Sequence, residues 1–435
     1  MFERGGRRGK RHVDEDGWET RGERREEPKR IGEGAYGCVF APPLRCREKV
    51  DLDYSTQVAK LMKAKEAREE MKYFRAIGEV DPENEYHMGT PKLCTPGPVR
   101  EETVRACKHT RFSSRDMNAH PEKYSLIMMV NGGKDLKDTM RLFAERFPSP
   151  RLFGRFWEQT GHLLRGLQRF REGGFVHFDI KSHNVVFDPS TGAMRFIDFG
   201  LSGRTEDIAR QCRESRYELA RYHFNYPIEC GLLNREDYDR FVALDEAGKD
   251  VYVDSMVDMM LRGNRESNNP LHIPHLSNTL HQVFASLFDM IDPLRSSEYK
   301  VRFIRECFAG IRVAVRELSY DQFLERVLRS VDIYGLGTTL QYVLLCCIKQ
   351  MPPDHPLRAR PDLLLAMHEF FYAMYAPSIL VRRLDIEQLV IDYQPVLAAF
   401  LAAAPQTATS SPSSFFPFQG GKRRRRTLRR HRHSR

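Results

Sequence analysis

Apolar positions show no period over residues 1–29, where Arg, Glu and Gly alternate freely, so this stretch reads as a solvated, charged arm. From Ile31 onward short apolar runs alternate with turn residues, the texture of strands. The segment KEAREEMKYFRAI, residues 65–77, changes to helical spacing, with Tyr73, Phe74 and Ile77 setting its buried face. A polar insertion, 95–123, precedes a continuous apolar run at Tyr124–Val130 that suits a buried strand. Over 152–170, Phe153, Phe156, Trp157, Thr160, Leu163, Leu164, Leu167 and Phe170 recur mostly at three- and four-residue steps, predicting an amphipathic helix. Short strand-like runs follow at Val185–Phe187 and Met194–Ile197. Residues 230–330 hold further helical patterns, Thr279–Met290 among them, and apolar helices are expected at 332–348, 360–376 and 385–403. From Pro405 to Gly421 the chain is rich in Pro, Thr, Ser, Phe and Gly, a linker composition.

The chain has 435 residues, of which 41% are hydrophobic, enough for a sizeable core and long for a single domain. No run reaches the 18 or so consecutive apolar residues of a membrane span, and the charged amino terminus lacks a secretory signal's apolar stretch. The expectation is a protein with no membrane partner, not secreted. Nine cysteines, single apart from Cys346-Cys347 and without a CxxC, suit free thiols in a reducing compartment. The net charge of +10 is lopsided. Residues 422–435 carry nine Lys or Arg and no acid, while 31–421 are left at −1. The basic tail suits a polyanion such as nucleic acid, or a nuclear-import receptor.

Chemistry first shows at Ile31-Gly32-Glu33-Gly34-Ala35-Tyr36-Gly37-Cys38-Val39, a GxGxxGxV pattern whose backbone N–H groups can close on phosphate oxygens. Alone it is a weak signal. Val58-Ala59-Lys60 follows, with a small residue directly before a lysine that can reach the α- and β-phosphates. Glu70, one turn before Phe74, is expected to hold that lysine, with Glu66 one turn earlier as the alternative. The decisive cluster is His177-Phe178-Asp179-Ile180-Lys181-Ser182-His183-Asn184, followed by Asp198-Phe199-Gly200. Asp179 can accept a proton from an acceptor hydroxyl and Lys181 can neutralise a γ-phosphate. Asn184 and Asp198 offer oxygens to Mg²⁺, a hard ion.

With these motifs in this order, the chain resembles the eukaryotic-type protein kinases from about Ile31 to Phe400. Ser330–Gly337 resembles that family's DxWxxG helix start, which implies that Asp332 holds the catalytic-loop backbone. Pro227-Ile228-Glu229 resembles a loose APE, and Arg383 its late arginine, implying a Glu229–Arg383 ion pair. The resemblance implies an α+β, bilobal fold: a small antiparallel β lobe at 31–130 and a larger α-helical lobe at 131–404 interrupted by a helical insertion near 230–330. ATP would lie between the lobes with Mg²⁺. Met128 and Met129 end the inner strand where adenine would sit, with Met128 governing pocket depth and Met129 among the cofactor-binding residues. Lys181, two after the catalytic Asp, is that family's mark for Ser/Thr acceptors on protein substrates.

Finer features resemble the serine/threonine kinases of large DNA viruses: GAYGCVFAPPLRC, the short step from Lys60 to Glu70, DPENEY, and NGGKDL. That implies host cytoplasm or nucleus, or packaging in the virion. The departures are as informative. Phe178 stands where the family places an arginine that reads an activation-loop phosphate, and no clear threonine follows Gly200 at the peptide-docking place. Two other readings therefore stay open, a virion or nucleic-acid-associated protein with a kinase-shaped body and a kinase of a small molecule. A zinc site from Cys94, Cys107, His109 and His120 is disfavoured by its spacing, and Cys38 reads as a small, half-buried residue beside the phosphate loop. Oligomeric state is left open.

Overall fold

The computed structural model describes residues 27–34, 37–108, 112–218, 225–262, 297–382 and 384–404. Residues 1–26 of the arm expected over 1–29, Ala35 and Tyr36 of the glycine-rich pattern, His109, Thr279–Met290, Arg383 and the tail from 405 lie outside them, and the last arm residue, Lys29, already belongs to a strand.

Strands β1 (Lys29–Glu33), β2 (Gly37–Ala41), β3 (Gln57–Lys63), β4 (Lys92–Cys94) and β5 (Tyr124–Val130) form one antiparallel sheet in the order β1-β2-β3-β5-β4. The sheet is two-sided because its central strands alternate. Leu61, Leu126, Met128 and Ala59 pack outward with Cys38 and Phe40, while Met62 and Ile127 pack inward on helix α1 (Ala64–Val80) and the main core. Helix α1 turns Ala67, Glu70, Met71, Phe74 and Ile77 inward, at three- and four-residue steps. The polar insertion carries two short helices, α2 (Glu101–Arg105) and α3 (Ser114–Ala119), whose Val104 and Met117 complete the outer cluster.

The free-thiol expectation fails in this lobe. Cys38 is bonded to Cys107 and Cys46 to Cys94. Cys38 is fully buried instead of half-buried. Both disulfides fasten the segments around the insertion to the sheet, and both Cys94 and Cys107 are thereby spent, which removes them from any zinc set. The five remaining cysteines, Cys212, Cys230, Cys307, Cys346 and Cys347, are free.

The second lobe follows β6 (Lys134–Asp135) and is built around α4 (Leu136–Glu145) and α5 (Pro150–Glu172). Ser149 caps α5 by accepting from the Leu152 N–H, and Pro150 occupies its first turn, where a missing N–H costs nothing. The predicted stripe along α5 is buried from Phe153 to Phe170. Hairpin strands β8 (Val185–Asp188) and β9 (Ala193–Phe196), with β7 (Phe175–Val176) and β10 (Gly203–Arg204), carry the loops of interest. Beyond α6 (Thr205–Arg213), the insertion supplies α7 (Arg235–Val242), α8 (Glu246–Arg262) and α9 (Ser297–Glu317), consistent with the helices expected there.

Helix α10 (Tyr320–Gln350) begins twelve residues before the predicted 332. A capping box of Ser319 and Gln322 starts it, so Asp332 sits well inside the helix and not at its start. Helices α11 (Pro361–Tyr375) and α12 (Ile386–Ala403) match the expected segments within a residue or so. By length and composition α10 and α12 could each cross a bilayer, which the reading by uninterrupted apolar runs had excluded. In the fold α10 is mostly buried by its neighbours, and α12 lays Ile386, Leu389, Tyr393 and Phe400 against the core.

Candidate active site

The glycine-rich turn links β1 to β2, where the Gly34 N–H donates to the Gly37 carbonyl at 2.9 Å. Gly37 is required by space. A Cβ there would stand 2.7 Å from both the Leu61 carbonyl oxygen and Met62 Cγ. Arg30 and Glu33 pair across the end of β1.

Lys60, central in β3, reaches into the cleft and bonds both carboxylate oxygens of Glu70, at 2.7 and 2.8 Å. This settles the helix register in favour of Glu70; no bond joins Glu66 to Lys60. The same ammonium lies 3.5 Å from Asp198, which belongs to the other lobe, so one lysine ties α1, β3 and the loop after β9 together. Burial pulls the Lys60 pKa down, but Asp198 and Glu70 overcome it and hold the lysine charged, above its ordinary value. Lys60 in turn holds the Asp198 carboxyl below the usual carboxylate range. Burial pushes Glu70 up against the pull of Lys60.

Two sequence expectations about the adenine end need correction. Opposed residues of an antiparallel pair share a face, and β3 pairs Lys60 with Ile127, Ala59 with Met128 and Val58 with Met129. The face of Lys60 therefore carries Val58, Ile127 and Met129. Ala59 and Met128 point the other way, into the outer cluster. Ala59 does not line the cleft, and Met128 cannot set its depth; Ile127, opposite the lysine and fully buried, holds that place. The period-2 pattern of β5 was legible, but its phase relative to β3 was not.

The catalytic loop, 177–184, is held from beneath. Asp332 accepts the N–H groups of His177 and Phe178, each at 2.8 Å. Burial raises the Asp332 carboxyl above its ordinary value against the pull of His177 and those two donors. Gly335, one turn on, lets α10 approach, since a Cβ there would stand 2.6 Å from the Ile180 carbonyl oxygen. His177 Nδ1 accepts from the Asp179 N–H at 3.3 Å, and its Nε2 lies 3.2 Å from the Ile197 carbonyl. One buried imidazole thus joins the Asp179 loop to the Asp198 loop. Phe178 and Asp198 both have positive φ, at 65° and 64°, unusual for such residues and found where neighbours over-determine the backbone.

Asp179, 5% exposed, is enclosed by donors. Its Oδ2 accepts from Lys181 Nζ at 2.6 Å and Asn184 Nδ2 at 2.8 Å. The carboxamide oxygen of Asn184 accepts no hydrogen bond among the described residues. Phe199 packs against Phe74 of α1 and against His177, bridging the lobes.

Among the described residues no three His, Cys, Asp or Glu side chains gather as a ready-made metal cage. Asp198, 43% exposed and kept ionised, and the carboxamide oxygen of Asn184 are the two oxygen donors that could serve a metal here. That suits a hard divalent cation that takes its other ligands from phosphate and water.

Residues 25–217 match the protein kinase domain family. This part of the chain is a protein kinase domain of the eukaryotic type. The match accords with the antiparallel sheet and helical lobe of the bilobal α+β fold. Over 204 residues the chain is 26% identical to the human mitogen-activated protein kinase kinase kinase 19, covering 44% of this chain and 13% of that protein. The chain thus spans a small fraction of the curated relative it matches.

The late arginine is corrected by one residue. Glu229 pairs with Arg382, at 3.2 Å and with both side chains essentially inaccessible, where the sequence reading had chosen Arg383. Arg382 also donates to the Ser330 hydroxyl and the Ala376 carbonyl. Two adjacent arginines cannot be told apart by spacing when the APE-like motif itself carries an extra residue. Sequence reasoning also missed Asn225 and Tyr226, which lie 3.2 and 3.5 Å from Asp179 Oδ1. Their only signal was position, directly before Pro227.

Proposed function

We propose that this kinase transfers the ATP γ-phosphoryl group to serine or threonine hydroxyls of protein substrates and that it is a viral enzyme. The observation that carries the reading is the convergence, in one cleft, of the Lys60–Glu70 pair, Asp198 and the Asp179–Lys181–Asn184 triad. Lys60 would position the α- and β-phosphates. Lys181 would meet the γ-phosphate. Asp179 would take the proton as the acceptor oxygen bonds to phosphorus and the bridge to ADP breaks. Asn184 and Asp198 would hold Mg²⁺, which supplies charge neutralisation on the phosphates when bound. The nucleotide would lie over Ile31–Val39, on the β3 and β5 face carrying Val58, Ile127 and Met129.

Lysine two positions after Asp179 supports Ser/Thr over Tyr acceptors, and the glycine-loop and NGGKDL features support viral origin, with action in host cytoplasm or nucleus or inside the virion. The +9 charge of 422–435 supports a second association, with nucleic acid or an import receptor. The test is incubation with labelled ATP, Mg²⁺ and a mixed protein pool, then acid hydrolysis. Phosphoserine or phosphothreonine is expected; phosphotyrosine, or label on small molecules alone, would overturn the acceptor assignment. Nucleic-acid retention that falls with salt and vanishes on deleting 422–435 is expected of the tail, and retention that survives the deletion would exclude it.

A further inference from the structure

The oxygen of Asp179 left free by Lys181 and Asn184 is not left to water. Asn225 Nδ2 donates to Oδ1 at 3.2 Å, and the Tyr226 hydroxyl lies 3.5 Å from the same atom. Asn225 is 1% exposed and Tyr226 2%. Both belong to the segment that runs into Pro227 and the buried Glu229. The same segment is fixed apolarly, since Phe178, next to Asp179, packs its ring 5.4 Å from Tyr217 and 5.7 Å from Tyr226. Where a charged side chain might have read a phosphate, an aromatic contact joins the two segments.

A carboxylate acting as base has to present one oxygen at a fixed angle, because proton transfer and in-line attack both depend on sub-ångström placement. Lys181 and Asn184 restrain only Oδ2, and both would be drawn on by phosphate and metal in the reacting complex. Oδ1 then depends on donors from elsewhere. We propose that Asn225 is a positioning residue for Asp179: its amide fixes the carboxylate plane and couples the base to the segment that runs into Glu229. The inference rests on the reading of Asp179 as the base. The Asn225 amide is the nearer of the two donors, at 3.2 Å against 3.5 Å for the Tyr226 hydroxyl, and is shielded from solvent.

The experiment compares wild type with Asn225→Ala and Asn225→Ser, and runs Asp179→Asn alongside. It measures kcat and KM for ATP, with nucleotide binding as the check that each variant is folded. Asn225→Ala is expected to lower kcat roughly 10- to 100-fold with KM for ATP unchanged. Asn225→Ser, which keeps a donor, should recover part of that loss. A merely structural residue would not respond to the restored donor, so a folded, ATP-binding Asn225→Ala variant with wild-type kcat, or an Asn225→Ser variant no better than Asn225→Ala, would overturn the inference. If Asp179→Asn itself kept near-full turnover, the reading of the base would fall, and this inference with it. If Asp179→Asn is inactive while the Asn225 variants match wild type, the inference alone falls.

Discussion

The Asp332 carboxylate accepts the backbone N–H groups of both His177 and Phe178, at 2.8 Å each, although the two partners lie about 155 residues away in the chain. A single buried side chain in α10 thereby fixes the backbone on which Asp179 is mounted, including a phenylalanine held at positive φ. Asp332→Ala leaves two buried donors unpaired, each worth about 1–3 kcal/mol, and is expected to cost about 2–5 kcal/mol in urea denaturation as well as turnover. Asp332→Asn keeps one acceptor and no buried charge, and should fall between that variant and wild type.

Lys60→Met should abolish turnover, Glu70→Gln should weaken it substantially, and Glu66→Gln should leave it near wild type, because only Glu70 holds the lysine. The pair also has a pH signature. The folded-state pKa of Lys60 is raised above the ordinary 10.5, so its contribution to stability is complete below that value and is lost as the pH climbs through the raised one. The difference in stability between wild type and Lys60→Met should therefore shrink on the alkaline side. A difference that instead disappeared on acidification past neutrality would contradict the assignment.

The Glu229–Arg382 pair joins the end of the segment before the insertion to the connection between α11 and α12, with no access to water. Removing one partner strands a charge, and Arg382→Ala is expected to destabilise by about 3–5 kcal/mol. Arg383→Ala should cost far less. Thermal or urea unfolding of the two single variants decides between adjacent positions that the sequence could not separate.

Phe178 contacts Tyr217 and Tyr226 where an arginine would wait for a phosphate. Protein made in bacteria and treated with phosphatase should consequently be as active as untreated protein. Loss of activity on dephosphorylation, restored by rephosphorylation, would show that a phosphate reader exists elsewhere.

Much of the site was legible because its chemistry demands particular residue types at short spacing. His177 to Asn184 and Asp198 lie within 22 residues, and the helical phase of Phe74 pointed to Glu70. What escaped depended on long-range geometry. The phase of β5 against β3 decides that Val58 and Ile127 face the lysine, and pairing register is not written in either strand alone. The choice of Arg382 over its neighbour, and the approach of Asn225 to Asp179, are likewise set by packing across 153 and 46 residues. The start of α10 was missed for a local reason. Its first turns are amphipathic and polar, so the apolar stretch drew attention later than Ser319, where the cap begins it.

The two disulfides are nested, Cys46–Cys94 inside Cys38–Cys107, and both fall within the sheet lobe, while the five free cysteines all lie in the other. Cross-links narrow the unfolded ensemble of the segment they close and leave the rest of the chain untouched. Reduction therefore opens cross-links in the sheet lobe alone. The thiol balance of the surroundings bears directly on the lobe that carries Lys60, and on the lobe that carries Asp179 only through the packing between them.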